Sequence, residues 1–334
     1  MLPSRLPVIA VCAVRTGVGK SQTARWLAAL LKQRGLRTAV LRHPMPYGVL
    51  ERQAVQRFAT SADLDSAACT IEEREEYEPH IVSGSVVFAG VDYGRILIVA
   101  EGEADVILWD GGNNDFPFVR PDLQIVLVDP LRVGHETTHH PGEAVLRMAD
   151  IVVVAKTNSA AEADIRAVTE TARGLAPKAT VVNAASVVTV DDPTAIRGKK
   201  VLIVDDGPTL THGGMAYGAG YVAAIRGQAS EIVDPRLSAV GDIAAVFRNY
   251  PQIGKVLPAM GYSTSELSEL GQLSTVQPPR WLLPGRRPIL PASCASTSQS
   301  SVYDMNLPRS ASRGLASWWK DFSTGRGLSG RGSH

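Results

Sequence analysis

The residues with the clearest chemistry form one short run near the start of the chain, Arg15-Thr16-Gly17-Val18-Gly19-Lys20-Ser21. Glycines let the backbone turn tightly and point its N–H groups inward, where an anionic phosphate chain fits. In a phosphate loop, Lys20 reaches the outer phosphates and the Ser21 hydroxyl takes one coordination position on Mg²⁺. We therefore predict a nucleotide site, with Arg15 and Lys20 as catalytic cations. Its binding residues are Thr16, Gly17, Val18, Gly19, Lys20, Ser21 and Gln22.

This run is a variant of the usual motif. Val14 stands where the motif has a glycine, and Arg15 stands where the variant that the run fits better carries lysine. Apolar residues 8–14 predict a strand before the run, and residues 23–31 predict a helix after it. A simple glycine turn is the alternative interpretation, but the order strand, loop, helix favours nucleotide binding.

A second predicted strand, residues 38–41, leads into Arg42 and His43. Because ligands of open α/β sheets bind at the carboxyl ends of strands, we predict that both side chains bind an anionic substrate. The alternative is a surface loop stiffened by prolines. Residues 50–58 carry a helical pattern, and Thr70 with Glu73 predicts a capping box at the start of a further helix.

A third strand, residues 104–109, ends in Asp110 and two glycines. Phosphate-loop enzymes use such an aspartate for a second Mg²⁺ contact, so we assign Asp110 to the metal and to catalysis. Asn113 and Asn114 follow at the same strand end and are predicted to hold the substrate, with Asp115 as a catalytic proton acceptor. Turn chemistry explains these residues equally well on local grounds, and the preceding strand favours function.

Two more strands, residues 123–128 and 151–154, precede loops with candidate ligands. The first loop holds three histidines, and we favour an anion site with His135 over a transition-metal site, because no ordered ligand spacing is present. The second loop offers Lys156 and Asn158 to the nucleotide. Guanine-specific proteins carry Asn-Lys-x-Asp here, and Asn158 cannot present two carboxylate oxygens to guanine. The sequence therefore leaves open whether the nucleotide is ATP or GTP.

Strands at residues 180–183 and 201–206 predict the end of one α/β unit and the start of another. The glycine-rich stretch 207–221 follows, and its Thr211 and His212 are predicted to bind substrate, since glycines let a ligand approach the backbone closely. Tight packing by small residues is the alternative.

Overall composition limits the classes of function. A net charge of +1 with 20% charged residues points to no nucleic-acid partner. Apolar stretches are strand-sized and the N-terminus lacks the apolar core of a signal peptide, so we expect a soluble, cytoplasmic protein without a membrane partner. Three isolated cysteines agree with a reducing compartment. The expected partner is a small phosphorylated molecule, and a homo-oligomer is left open.

These elements predict an α/β fold with a mainly parallel sheet of the phosphate-loop NTPase type. We expect a nucleotide-binding domain over residues 1–190 and a smaller α/β domain over 191–270. Residues 271–334 are basic and serine-rich, without a helix or strand period. A disordered tail is one interpretation; we favour translation in a shifted reading frame, which would deprive the sheet of its last strands.

Five motifs together resemble the cyclic 2,3-diphosphoglycerate synthetase family over about residues 7–270. They lie at residues 15–21, 42–48, 72–80, 109–115 and 207–215. The resemblance implies a phosphate-loop NTPase of the class that includes nickel-insertion GTPases and dethiobiotin synthetase. It further implies that ATP closes 2,3-diphosphoglycerate into its cyclic phosphoanhydride, with release of ADP and phosphate.

Our leading prediction is therefore a ligase of this kind, acting on 2,3-diphosphoglycerate or a related phosphorylated acid, with ATP (or GTP) and Mg²⁺. A regulatory or metal-delivery GTPase is the alternative. The altered base-recognition motif disfavours guanine, and the lack of a Cys/His carrier cluster in the sequence disfavours metal delivery. An inactive remnant is a third interpretation, which rests on the tail alone.

Overall fold

The computed structural model describes residues 1–45, 49–112, 115–188, 194 and 196–259. Within them, one sheet holds eight strands in the order β3-β4-β2-β5-β1-β6-β7-β8, and every pairing is parallel except that of β3 with β4. Its strands are β1 Val8–Ala13, β2 Thr38–Leu41, β3 Gln56–Phe58, β4 Val86–Ala89, β5 Val106–Trp109, β6 Leu123–Val128, β7 Ile151–Val154 and β8 Thr180–Asn183. The predicted fold class, α/β with a mainly parallel sheet, is confirmed.

Helices connect these strands. They are α1 Lys20–Gln33, α2 Ser61–Ser66, α3 Ile71–Val82, α4 Tyr93–Glu103, α5 His135–Thr138, α6 Gly142–Leu146 and α7 Glu162–Leu175. The central strand β1 is buried along its whole length between β5 and β6, which explains its uninterrupted apolar sequence. Helix α1 buries Thr23, Leu27 and Leu31, spaced four residues apart on one face.

Two local predictions have different outcomes. The capping box is confirmed, because Thr70 Oγ1 accepts from the Glu73 N–H at 3.2 Å and the Glu73 carboxylate accepts from the Thr70 N–H at 2.7 Å. The helix over residues 50–58 is wrong: turns occupy its start and β3 its end. Phe58 is buried in stacking contact with Tyr77, ring centroids 5.1 Å apart, so tertiary packing overrides the local pattern.

A second, smaller α/β portion follows. It comprises β9 Lys200–Val201, β10 Val204–Asp206, α8 Gly207–Leu210, α9 Ala219–Arg226, β11 Glu231–Ile232, α10 Gly241–Asn249 and β12 Leu257–Ala259. The single strand predicted over residues 201–206 is wrong, because β9 pairs with β11 whereas β10 pairs with β12. A separate apolar cluster, including Val201, Leu210 and Val256, packs this portion together.

The predicted domain boundaries stay predictions, and the tail predicted over residues 271–334 lies outside the described residues. Among the helices that are described, none is both long enough and apolar enough to cross a bilayer.

Candidate functional site

The carboxyl ends of the parallel strands lie at one edge of the sheet, and polar residues follow five neighbouring strands there. After β1 comes the glycine loop, residues 14–19. The residues that follow the other four strands are Arg42, Asp110, Asp129 and Lys156. Parallel pairing thus brings together side chains that are more than a hundred residues apart in sequence.

The glycine loop has the backbone that a phosphate cradle needs. Gly17 and Gly19 have φ angles of +78° and +119°, in a region that side-chain-bearing residues rarely adopt. Helix α1 begins immediately afterwards at Lys20, so the positive end of its dipole faces the loop. Val18 is buried. The other predicted binding residues of the loop region, Thr16, Ser21 and Gln22, are half-buried.

Asp110 is the centre of a fully buried charge cluster. Its Oδ1 accepts from Lys20 Nζ at 2.5 Å, and its Oδ2 lies 2.7 Å from Arg42 Nη1 and 2.9 Å from His80 Nε2. Burial alone would raise the pKa of Asp110, but the charges of Lys20 and Arg42 hold it well below its usual range. The Asp110 carboxylate is therefore ionised beside the loop, and its predicted contact with a metal stays a prediction.

Arg42 lies deeper than the sequence predicts. Its side chain is 2% exposed, and its other terminal nitrogen donates to Glu76. Because two carboxylates occupy the guanidinium, the direct substrate contact stays a prediction.

Burial lowers the pKa of His80, which is therefore neutral beside Asp110. Sequence reasoning missed Glu76, although its spacing of four residues from His80 on α3 places the two on one helix face.

A second carboxylate, Asp129, holds two cations against the outside of the glycine loop. Arg132 donates to Asp129 Oδ2 through Nε and Nη2 at 3.0 and 2.7 Å, and through Nη1 to the Thr16 carbonyl at 3.0 Å. Lys156 Nζ donates to Asp129 Oδ2 at 2.7 Å and to the Gly17 carbonyl at 2.6 Å. Sequence reasoning missed Asp129 and Arg132, and the strand end before Asp129 was the available signal.

Asn158 is held by the loop after β8. Its side-chain amide donates to the Ser186 carbonyl at 3.0 Å and accepts from the Ser186 N–H at 2.8 Å. The predicted base contact of Asn158 therefore stays a prediction, with the carboxamide holding the neighbouring loop in this structure.

His43 and Asp115 face each other at the end of β2, with His43 Nδ1 2.7 Å from Asp115 Oδ2. The Gly112 N–H donates to the same oxygen at 3.0 Å. The contact with His43 lowers the pKa of Asp115, so the carboxylate is charged at neutral pH. The predicted substrate residues Asn113 and Asn114 lie outside the described residues.

The smaller α/β portion reaches the glycine loop through residues 207–214. Arg15 Nη2 donates to the His212 carbonyl at 2.6 Å, and Arg15 Nη1 contacts His135 Nδ1. Thr211 is buried and donates to the Gly207 carbonyl at 2.9 Å. Burial and the neighbouring Arg15 charge lower the pKa of His135 to about 4. The structure thus brings the His135 ring and the His212 carbonyl to Arg15 at the glycine loop. The predicted substrate binding by His135, Thr211 and His212 stays a prediction.

Strand order, loop backbone and the lysine–aspartate pair together define an α/β protein with a phosphate-loop nucleotide fold. Among its described residues, no group of three or more His, Cys, Asp or Glu side chains is arranged to hold a metal ion by itself. Mg²⁺ usually takes only one or two ligands from protein carboxylates and completes its shell with water and substrate phosphates.

Comparison with known proteins gives one close relative. The chain is 58% identical over 270 residues to the arginine synthetase ArcE of Thermococcus kodakarensis, a match that covers 81% of this chain and 60% of the relative. The chain thus spans about three-fifths of the length of that curated relative. No family model matches the chain. The resemblance to cyclic 2,3-diphosphoglycerate synthetases is not confirmed, since the relative carries a different name.

Solved structures resemble the chain more distantly. LpxK of Aquifex aeolicus, solved with ATP, is 16% identical with a TM-score of 0.44, over 63% of this chain and 66% of that one. HypB of Archaeoglobus fulgidus is 14% identical with a TM-score of 0.33, over 53% of this chain and 80% of that one. Because these scores are low, the fold class rests on the sheet topology described above.

Proposed function

We propose that the chain is an ATP-dependent synthetase that transfers the γ-phosphoryl group of bound nucleotide to an oxygen of a small acceptor. The observation that carries the proposal is the glycine loop between β1 and α1, beside which Lys20 and Asp110 form a buried ion pair. The name of the 58% identical relative, a synthetase, supports a reaction that consumes nucleotide. The proposal extends the activity named for that relative to this shorter chain.

The residues fit a magnesium ion. A hydroxyl and a carboxylate are oxygen ligands of the kind Mg²⁺ prefers, and Ser21 and Asp110 would hold it, together with phosphate oxygens. Asp110 Oδ1 contacts Lys20, whose flexible side chain can turn to the phosphates, while Arg42 and His80 keep Oδ2 in place. When bound, the ion would neutralise charge on the phosphates.

The other side chains would bring two anions together and handle a proton. Arg15 and Lys20 offset the negative charge that spreads over the transferred phosphoryl group. Asp115 is charged, half-buried and oriented by His43, so it is suited to accept a proton from the acceptor or nucleophile. Residues 207–214 cover the loop mouth and would keep water from the activated phosphate.

Two acceptors follow from different observations. The relative's name favours a precursor of arginine. The ureido oxygen of citrulline would attack the γ-phosphorus and release ADP; ammonia would then attack the ureido carbon, and phosphate would leave with that oxygen as a proton is lost. The motif resemblance instead favours 2,3-diphosphoglycerate. One of its phosphates would be activated by ATP, and the other would displace phosphate to close the anhydride ring.

The first test measures ADP and GDP release with Mg²⁺, in the presence of citrulline plus ammonium, of 2,3-diphosphoglycerate, or of neither. We expect ATP turnover that depends on one acceptor and at least a hundredfold loss in Lys20→Met. Lys32→Met is the matched control, because Lys32 lies at the other end of α1 and contacts the Ser83 carbonyl. GTP hydrolysis indifferent to every acceptor would reject the synthetase and favour a regulatory or metal-delivery GTPase.

A further inference from the structure

Among the residues that the structure describes, Arg15 is a buried charge without a paired carboxylate. Its side chain is 5% exposed, and within the described part of the chain it forms no ion pair with a carboxylate. Its Nε is buried and has no hydrogen-bond partner in the described ranges. A guanidinium stays protonated in proteins, and an uncompensated buried charge is costly. Such a group is explained when a ligand supplies the missing negative charge.

Two further cationic or polar groups converge on the same point. Arg132 Nη1 would lie 3.6 Å from a methyl group built on Gly17, so it lies beside the glycine loop. His135 contacts Arg15 Nη1 and stacks on His139, ring centroids 4.0 Å apart. Asp129 accepts hydrogen bonds from Nε and Nη2 of Arg132. Only Nη1 of this guanidinium is therefore directed to the loop mouth.

Main-chain carbonyls of the smaller α/β portion occupy these donors. The His212 carbonyl accepts from Arg15 Nη2 at 2.6 Å, and the Gly213 carbonyl accepts from Arg132 Nη1. Thr209 Cγ2 would lie only 3.4 Å from a methyl group on Gly17, so this stretch covers the glycine loop closely. Neutral carbonyl groups therefore occupy the N–H donors with which the two arginines would bind an anion.

We propose that Arg15, Arg132 and His135 form an oxyanion site, which takes a phosphate or carboxylate group in exchange for the carbonyls of His212 and Gly213. A hydrogen bond from a guanidinium to an anion adds the attraction between opposite charges, which a bond to a neutral carbonyl lacks, and this favours the exchange. The site is additional to the N–H cradle of the glycine loop. Its location rests on the proposed nucleotide site, but its existence does not depend on turnover.

The anionic group that binds to this site could be the γ-phosphate of ATP or an acidic group of the acceptor. Isothermal titration calorimetry separates these sources without any reaction. Mg²⁺·ADP, Mg²⁺·AMP-PNP, and inorganic phosphate or citrulline added to the ADP complex would each be titrated into wild type, Arg132→Met and Arg15→Met. Arg147→Met is the matched control, since Arg147 is an exposed arginine paired with Glu143.

We expect ADP affinity to change by less than threefold in Arg132→Met, while affinity for the additional oxyanion falls at least tenfold. A loss for AMP-PNP, or for phosphate added to the ADP complex, assigns the site to the γ-phosphate; a loss confined to citrulline assigns it to the acceptor. Equal affinities in wild type and both variants for every ligand would overturn the proposal. Should Arg132→Met fail to fold, Arg15→Met decides, because its loss leaves no buried carboxylate unpaired.

A wild-type chain that binds these oxyanions through both arginines, yet turns over no acceptor, would sustain the site and reject the synthetase. Acceptor-dependent turnover by the wild-type chain, together with unchanged oxyanion affinity in both arginine variants, would sustain the synthetase and reject the site. The two proposals therefore fail separately.

Discussion

At the scale of single residues, Asp110 connects the nucleotide loop to the rest of the site. Three cationic or polar side chains meet its two oxygens in a region without solvent, so the carboxylate must remain ionised to compensate them. His80 is the one of these groups whose ordinary pKa lies near neutral pH, and burial lowers that pKa. Protonating it would place a further positive charge beside Arg42.

The first prediction concerns the pH dependence of stability. Since the folded pKa of His80 lies below the unfolded value of about 6.5, the unfolded chain binds more protons as pH falls from 7 to 5, and stability decreases. His135 and His139, whose pKa values are also lowered by burial, act in the same direction. His80→Gln is expected to reduce this slope, by up to about 1.4 kcal/mol per pH unit.

Urea unfolding followed by circular dichroism at pH 7, 6 and 5 measures the slope. His139→Gln, at an exposed position, is the control and should change it less. An identical slope in His80→Gln and wild type would show that His80 is not held neutral by the fold.

At the scale of elements, the glycine loop works because its backbone adopts angles that other residues avoid. Gly17 has a φ of +78°, and Gly35, at the end of α1, has the same φ. A methyl group on Gly35 would meet nothing within 4 Å, whereas one on Gly17 would contact Thr209 and Arg132. Alanine substitutions at these two positions therefore separate the effect of backbone strain from the effect on nucleotide binding by the loop.

We predict that Gly17→Ala and Gly35→Ala each lose about 1 to 2 kcal/mol of unfolding free energy, from the strain of a left-handed backbone. Only Gly17→Ala should weaken Mg²⁺·ATP binding, by tenfold or more. Chemical denaturation and calorimetry measure both quantities on the same samples. Comparable ATP affinities in the two variants would place the nucleotide elsewhere.

The elements also show what the sequence can and cannot predict. Strands such as β1 and β6 are buried on both faces, so their apolar runs are unambiguous, and the loop after β1 follows from glycine chemistry. The strand β3 was missed because the packing of Phe58 on Tyr77 is not encoded locally. Strand order is a tertiary property as well, so the pairing of Lys20 with Asp110 required the fold.

Some residues of the candidate site can likewise be predicted from the sequence, whereas others require the fold. Arg15, Lys20, Asp110 and Lys156 belong to motifs whose chemistry depends on residue type and spacing. Asp129 and Arg132 carry no such motif, and they matter because β6 lies beside β1 in the sheet. Burial of Arg42 between two carboxylates could not be predicted either, because Glu76 comes from a separate helix.

At the scale of the whole molecule, two α/β portions with separate apolar clusters meet at the nucleotide loop. The contacts described between them there include hydrogen bonds from Arg15 and Arg132 to the backbone of residues 212 and 213. Polar contacts of this kind exchange partners more readily than a packed core does. The arrangement suits a reaction in which nucleotide binds to one portion and the other covers the activated acceptor.

Phosphorus NMR tests the central claim, transfer of a phosphoryl group from ATP to an acceptor oxygen, most directly. The chain is mixed with Mg²⁺ and ATP, and with either citrulline labelled with ¹⁸O at the ureido oxygen plus ammonium, or 2,3-diphosphoglycerate. We predict that ADP forms in step with one new signal, either ¹⁸O-shifted phosphate or a cyclic phosphoanhydride. Unshifted phosphate and ADP that form at the same rate with and without acceptor would contradict the account.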